Sequence, residues 1–330
     1  MSTSDSEPPA KRQRRDMDED EDDHPLIIHR SNDYWFEDGN VILQVQQTQF
    51  RLSKSILSMH SPIFRDMFSL SLPENEPLCE GCPVVVLPGD ASEDWEHLLG
   101  VIFPKDCFAF GDPHVDQVSA ILRLSKKYDL AGFRKHCVER LKAEFPTKLL
   151  QFDNVIKSWT NICVNDDDGP KACVQVVNLA RELGLYSILP TAFYNLIHYS
   201  EGIHGDSLVM MTDKEDRRVS LEAYIKMVRS YTNTPLKWLA PKSGISWDAC
   251  TSPSRCSSER KEILIELLSQ SDKVASILRV WNNQWDTRMC EGCVTKAQEV
   301  FETARKDCWE KLPSYFGLED WETLQKMDFE

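Results

Sequence analysis

The spacing of hydrophobic residues in the first third of the chain changes several times between strand-like and helical, which is typical of a mixed fold. Val41–Val45 and Thr48–Leu52 are strand-like runs joined by a tight connection, and they predict a β-hairpin. Another apolar run, 83–87, is bounded by proline and glycine and predicts a short buried strand. These three segments indicate a small sheet near the start of the protein.

Segments whose apolar residues have helical spacing lie between these strands and after them. Ser53 is placed to cap a helix whose Ile56, Leu57 and Met59 face inward, and Pro62 opens a second helix at its first turn. Apolar residues at steps of three and four predict further helices over 91–103, 115–128 and 132–145. The order of hairpin, helix pair, strand and helices predicts an α+β module.

The rest of the chain has helical periodicity and no further strand signal. We expect helices over 149–163, 172–183 and 188–198, with Gly184 as a C-cap and Pro190 near a helix start. A longer amphipathic stretch covers 258–285. The predicted fold class is therefore α+β, with a mainly α-helical C-terminal region after the strand-containing module.

Charge and composition limit the partners. The 330 residues carry a net charge of −15, which argues against direct nucleic-acid binding because that needs a basic face. We find no run of roughly 18 apolar residues, so no membrane partner is expected. The polar, charged start and the odd count of 11 cysteines favour a reducing compartment, the nucleus and/or the cytoplasm.

The first 31 residues lack periodic apolar positions and read as a disordered charged tail. They contain a basic cluster, Lys11, Arg12, Arg14 and Arg15, which a nuclear import receptor can read. The alternative is a solvated charge run, in which the acidic block that follows partly neutralises the basic one. The sequence leaves both interpretations open.

A set of positions at fixed spacing follows the predicted hairpin. Its members are Phe50, Ser53, Lys54, Leu57, Ser61, Phe64, Met67 and Phe68. This pattern resembles the signature of the BTB/POZ domain. The stretch 34–43 and the ending from Trp309 to Trp321 are similar to the large fungal BTB family of mushroom-forming basidiomycetes, so the resemblance extends over about 33–324.

The resemblance implies a protein-interaction module that is often homodimeric and has no chemistry of its own. It also implies a helical extension after the domain, which in adaptor proteins supports a cullin-type ubiquitin ligase scaffold. Animal BTB transcription factors place an Asp and an Arg in a charged pocket at the dimer interface. The matching residues here are Asn40 and Lys54, so that pocket is altered.

Together these observations divide the chain into four parts. We expect a disordered tail over 1–31, a BTB/POZ domain over 32–147, a helical extension over 148–247 and a cysteine-containing helical region over 248–330.

The last part contains the one group of residues that could coordinate a metal ion. Cys250 and Cys256 form one short-spaced pair, and Cys290 and Cys293 form another. Four thiolates from two such pairs suit a tetrahedral structural zinc ion, and the alternative is four unconnected thiols. Cys308 is different because it lies on an apolar helical stripe, which indicates a core residue.

Geometry sets a condition on this zinc site. A single helix over 258–285 would span roughly 40 Å, which would keep Cys256 and Cys290 apart. The four sulfurs can meet only if the helix breaks, and the polar stretch 269–272 is the place that the sequence offers. We therefore expect a helical hairpin there if the metal site exists.

No catalytic motif for hydrolysis, nucleotide binding or zinc-dependent proteolysis occurs, and the eight histidines are scattered. We expect no enzyme, but a scaffold or adaptor that binds other proteins and dimerises through the BTB domain, with a cullin scaffold as one partner. Two alternatives remain. One is a nuclear transcription-regulatory scaffold, and the other is a zinc-stabilised C-terminal binding module with the BTB domain as its oligomeriser.

Overall fold

A five-stranded sheet with helices packed against it forms the N-terminal part of the molecule. The computed structural model of the protein describes residues 27–71, 78–105, 111–156, 158–165, 168–199, 209–230, 234–240, 244–269 and 276–329. Within them the strands are β1 (His29–Trp35), β2 (Val41–Val45), β3 (Thr48–Leu52), β4 (Leu78–Cys79) and β5 (Cys82–Val86), in the spatial order β1-β3-β2-β5-β4.

The predicted hairpin is confirmed. β2 and β3 pair antiparallel, with Leu43 opposite Phe50, and both side chains are fully buried. β5 pairs with β2 in parallel and confirms the predicted third strand, although its outer end is exposed at Val86. β1 begins at His29, inside the range predicted as a tail, because its backbone pairs with β3.

Helices account for most of the remaining described residues, and the fold class is α+β as expected. They are α1 (Lys54–His60), α2 (Pro62–Ser69), α3 (Ser92–Ile102), α4 (Val115–Lys127), α5 (Ala131–Glu144), α6 (Leu149–Val155), α7 (Gly169–Leu183), α8 (Leu189–Tyr199), α9 (Lys214–Arg229), α10 (Pro253–Ser269), α11 (Glu291–Glu310), α12 (Leu312–Tyr315) and α13 (Trp321–Lys326). Short 3₁₀ turns cover Tyr186–Ile188, Pro235–Leu239 and Asn283–Thr287. No helix in this described part is both long and apolar enough to cross a membrane.

The pair α1–α2 differs from the prediction in two details. The Ser53 side chain makes no capping bond, and the first backbone N–H of α1, that of Lys54, is instead bound 2.8 Å away by the Asn40 side-chain oxygen. Met59 was predicted to face inward and is 72% exposed. Pro62 opens α2 as expected, with Ser61 as its N-cap.

The helix predicted over 149–163 ends at Val155, so its second half was wrong. The buried carboxylate of Glu144 accepts hydrogen bonds from the backbone N–H groups of Thr160, at 3.2 Å, and Asn161, at 2.7 Å. These donors are therefore satisfied by a distant side chain rather than by a helical turn. Burial also raises the pKa of Glu144.

The long stretch 258–285 is broken, as the metal site requires. α10 ends at Ser269, and the proposed break at 270–272 lies outside the described residues. The second helix of the predicted hairpin is absent from the described residues 276–282, where Leu278 makes its backbone hydrogen bonds outside any helix. Its N–H binds the Tyr194 hydroxyl at 3.2 Å, and its carbonyl accepts from Arg305 at 3.1 Å.

Two apolar clusters lie in the described residues. The larger one runs continuously from the sheet through α3–α8 and includes Leu312 and Phe316 near the end of the chain. The smaller one gathers Trp238, Trp285 and Phe301. Buried cysteines from α10 and α11 belong to the smaller cluster, so this cluster supports the candidate metal site.

Candidate metal centre and interaction surface

The structure brings the four predicted cysteine ligands together. The sulfur atoms of Cys250, Cys256, Cys290 and Cys293 all lie within 4.8 Å of one another. The sulfurs of Cys250 and Cys290 are 3.9 Å apart. Cys256 and Cys293 are buried, whereas Cys250 and Cys290 are half-buried. The cluster therefore has a closed side and a side that faces solvent.

Two helix starts point at this cluster. Cys256 lies in the first turn of α10, while Cys290 is the N-cap of α11 and Cys293 lies in its first turn. The backbone N–H of Cys290 donates to the sulfur of Cys256 at 3.3 Å. Free N–H groups at a helix start carry partial positive charge, so this position favours thiolates.

Cys250 comes from a loop that has no regular structure. Its N–H donates to the carbonyl of Trp247 at 2.9 Å, which forms a tight turn before the cysteine. The loop passes directly over Gly292, where an added β-carbon would approach the Ala249 carbonyl oxygen to 2.5 Å. The glycine between Cys290 and Cys293 therefore allows the loop to place Cys250 beside α11.

Arg260, one turn after Cys256 on α10, connects these segments. Its guanidinium donates to the sulfur of Cys293 at 3.8 Å and lies 4.1 Å above the ring of Trp247. A metal with four thiolates has excess negative charge, and a cation at this distance offsets part of it. Arg260 carries no signal in the sequence other than its position four residues after Cys256, and it was therefore not predicted.

The thiols differ in acidity. Hydrogen bonds from the backbone of Thr251 and Cys293 lower the pKa of Cys290 to about 5. Burial raises the pKa of Cys256 and of Cys293. Without a metal, Cys290 is therefore a thiolate at neutral pH, and a metal must displace the protons of the buried thiols.

The donor set fits a tetrahedral ion. A Zn–S bond of about 2.3 Å places the sulfurs of a regular tetrahedron about 3.8 Å apart. The 3.9 Å separation of Cys250 and Cys290 is close to this edge, and the 4.8 Å limit on the others requires only a small contraction. The cluster can therefore hold a metal ion, and four protein sulfurs leave no open position for a substrate.

Aromatic side chains pack in the smaller apolar cluster, to which Cys256 and Cys293 also belong. Trp281 lies 5.0 Å from Trp285 and 5.2 Å from Phe301, measured between ring centroids, and Trp238 lies 5.4 Å from Trp281. These rings belong to the same apolar cluster as Cys256 and Cys293. A change at the cysteine cluster would therefore alter the environment of several tryptophans.

The fixed-spacing residues after the hairpin mostly serve the core. Phe50, Leu57, Phe64 and Ser61 are buried. Met67 and Phe68 are partly buried against the same core, and Ser53 and Lys54 are half-exposed. The hydroxyl of Ser61 accepts from the N–H of Phe64 at 3.1 Å and donates to the carbonyl of Tyr128 at 2.5 Å, so it joins α2 to the end of α4.

A polar network beside this core was missed by the sequence analysis. The buried carboxylate of Asp90 accepts from the Tyr128 hydroxyl at 2.5 Å, the Trp95 indole at 2.9 Å and the Lys127 ammonium at 2.5 Å. Burial and the bond to Asp90 raise the pKa of Tyr128. No local signal marks Asp90, because its partners are up to 38 residues away.

The adjoining helices α1 and α2 expose apolar side chains, and so does the residue that follows α2. We define this α1–α2 face by Met59, Ile63 and Leu70, of which Met59 and Leu70 are each 72% exposed. Leu57 and Phe64 on the same helices point into the core. The helix pair therefore presents apolar side chains on both sides, and the outer side has no partner within the described residues.

Comparison with known protein families identifies the class. Residues 34–144 match the BTB/POZ domain. This part of the chain is therefore a BTB/POZ domain, a module that mediates dimerisation and protein–protein binding and belongs to an interaction family rather than a catalytic one. No curated protein matches the chain. The import candidate Lys11, Arg12, Arg14 and Arg15 lies outside the described residues.

Proposed function

We propose that the protein is a non-enzymatic scaffold or adaptor that forms a homodimer through its BTB/POZ domain and binds a further protein through its helical C-terminal region. The observation that supports this most directly is the α1–α2 face within a domain whose family mediates dimerisation. Large apolar side chains exposed at neighbouring positions of such a domain are common at interfaces.

A second copy of the chain is the occupant that we assign to this face. A twofold dimer brings the same surface of each copy together, so Met59 and Leu70 would be buried against their counterparts. The family match supports this choice over an unrelated partner, because dimerisation is a property of BTB domains.

Size-exclusion chromatography with light scattering of the full chain tests the dimer. The wild type is expected at twice 38.0 kDa, and the double variant Met59→Glu, Leu70→Glu at 38.0 kDa. Leu150→Glu is the matched control, because Leu150 is 78% exposed on α6 outside the matched domain. A monomeric wild type, or a double variant that remains dimeric, would contradict the proposal.

We also propose that the Cys250, Cys256, Cys290 and Cys293 cluster binds a structural Zn²⁺ ion. The sulfur separations, the two helix starts and Arg260 support zinc over four unconnected thiols. The ion would fix the loop before α10 to the start of α11, and the chemistry that it supplies is coordination alone.

Metal analysis of purified protein is expected to give one zinc per chain, and cobalt substitution the strong visible bands of a tetrahedral cobalt–thiolate centre. Cys293→Ser should abolish both signals. Cys308→Ser is the matched control, because Cys308 is buried on α11 and lies outside the cluster. Wild-type protein without zinc, or unchanged metal binding in Cys293→Ser, would contradict zinc.

Two pathways fit such a scaffold. The BTB/POZ domain and the helices that follow it favour a substrate adaptor for a cullin-type ubiquitin ligase. The cluster Lys11, Arg12, Arg14 and Arg15 favours a nuclear regulatory scaffold. Affinity purification with mass spectrometry separates them, because a cullin would support the adaptor, and transcription factors without a cullin would support the scaffold.

If the four basic residues form an import signal, replacing all four with alanine should shift the tagged protein from the nucleus towards the cytoplasm.

A further inference from the structure

We propose that Cys250 and Cys290 are an oxidation-sensitive pair, which a hydroperoxide converts into a disulfide with release of the bound metal. The release step rests on the proposed zinc site, whereas disulfide formation depends only on the positions of the two cysteines.

Access to solvent separates this pair from the other two ligands. Cys256 and Cys293 are 0% and 1% exposed, and both belong to the smaller apolar cluster together with Trp285 and Phe301. Cys250 and Cys290 are half-buried on the side that faces solvent. A small polar oxidant therefore meets these two sulfurs first, whether or not a metal is bound.

The same two sulfurs are close enough to join. They lie 3.9 Å apart, and a disulfide bond of about 2.05 Å requires them to approach by about 2 Å. Cys250 lies in a loop without regular structure, and Cys290 is the N-cap before the regular part of α11. Cys256 and Cys293 lie inside helical turns, where the backbone resists such a shift.

The reaction balances with a hydroperoxide as the oxidant. One thiolate attacks the peroxide oxygen, which breaks the O–O bond, forms a sulfenic acid and releases an alcohol or water after protonation. The other thiolate then displaces the sulfenic hydroxyl as water and forms the S–S bond. Two thiolates, one hydroperoxide and two protons thus give one disulfide, one alcohol or water, and one water.

Loss of two ligands removes the metal. Two buried thiolates do not complete a tetrahedral site, so Zn²⁺ leaves when Cys250 and Cys290 are joined. The new bond still connects the loop to α11 at the place where Ala249 passes over Gly292. The unit therefore remains closed in both states, by the metal in one and by the disulfide in the other.

The test uses the zinc-loaded full chain and hydrogen peroxide. Zinc release is followed with a chromogenic chelator, and disulfides are mapped by mass spectrometry after blocking free thiols. We expect stoichiometric zinc release together with a Cys250–Cys290 disulfide, and recovery of the metal site after dithiothreitol and zinc. Cys163→Ser is the control, since Cys163 is exposed and lies outside the cluster, and it should behave as the wild type.

Three results would overturn the inference or part of it. Zinc that stays bound while Cys163 is oxidised would reject it and leave the zinc site standing. A first disulfide between Cys256 and Cys293 would reject the assigned pair. If the chain cannot be loaded with zinc and peroxide still joins Cys250 to Cys290, the pair stands, and both the metal release and the proposed zinc site are rejected.

Discussion

The carbonyl oxygen of Ala249 lies 2.5 Å from the position that a β-carbon would take at Gly292. This distance is too short for any contact with carbon, and the Ala249 carbonyl belongs to the backbone, so it cannot move aside without moving the loop. Because Cys250 follows Ala249 directly, the residue at position 292 controls whether the loop can bring its sulfur to the cluster.

Gly292→Ala is therefore expected to weaken zinc binding, by about 10- to 100-fold as for other supporting residues of metal sites. Competition with a chromogenic chelator measures this change. Gly132→Ala is the matched control, because a β-carbon on that helical glycine of α5 meets no atom within 4 Å. Equal zinc affinity in both variants would show that the loop does not depend on this contact.

Arg260 is expected to slow the loss of zinc. Arg260→Gln removes the charge beside Cys293 and the contact with Trp247, so zinc should transfer to a chelator faster. Arg260→Lys keeps the charge but not the planar group that stacks on the ring, and should give an intermediate rate. Lys261→Gln, on the exposed neighbouring residue, should match the wild type. If Arg260→Gln also matched the wild type, the guanidinium would have no role at the centre.

Cys290 in metal-free protein should react with iodoacetamide at unusually low pH. Its pKa of about 5 in the folded chain lies below the roughly 8.5 of an unperturbed thiol. The stabilisation that this thiolate gives the folded state is complete above the pKa of the thiol in the unfolded chain. It is lost as the pH falls through about 5, the pKa in the folded chain. Mass spectrometry of alkylated peptides measures the rate against pH. In urea the half-point should rise towards the unperturbed value, and a folded half-point that is equally high would contradict the prediction.

Asp90→Asn should destabilise the BTB/POZ domain by about 2–4 kcal/mol, because it leaves the Lys127 ammonium and two buried donors without a carboxylate. Calorimetry of the full chain should show a lower melting temperature. Asp66→Asn is the control, since the side chain of Asp66 is 82% exposed. A variant as stable as this control would mean that Asn satisfies the same donors.

Local patterns in the sequence predicted those parts of the fold that depend on local chemistry. The β2–β3 hairpin follows from alternation, and the start of α2 follows from Pro62. The break after Ser269 followed from a geometric condition, because cysteines on opposite ends of one long helix could not meet.

Long-range contacts account for the parts that were wrong or missed. α6 stops early because Glu144 binds backbone N–H groups 16 and 17 residues away. The Asn40 side chain binds the first N–H of α1 across 14 residues, and Leu278 is held by Tyr194 across 84. Hydrophobic periodicity and capping preferences describe only residues that are close in sequence. These long-range contacts could therefore be seen only in the folded chain.

The end of the described chain returns to the start of α8. Asp328 accepts hydrogen bonds from the N–H and hydroxyl of Ser187, and the N–H of Phe329 binds the carbonyl of Gly184 at 2.7 Å. In mechanical terms, tension applied at Phe329 enters the molecule through the α7–α8 junction. The contacts of Asp328 and Phe329 therefore take up that tension before it can reach the cysteine cluster.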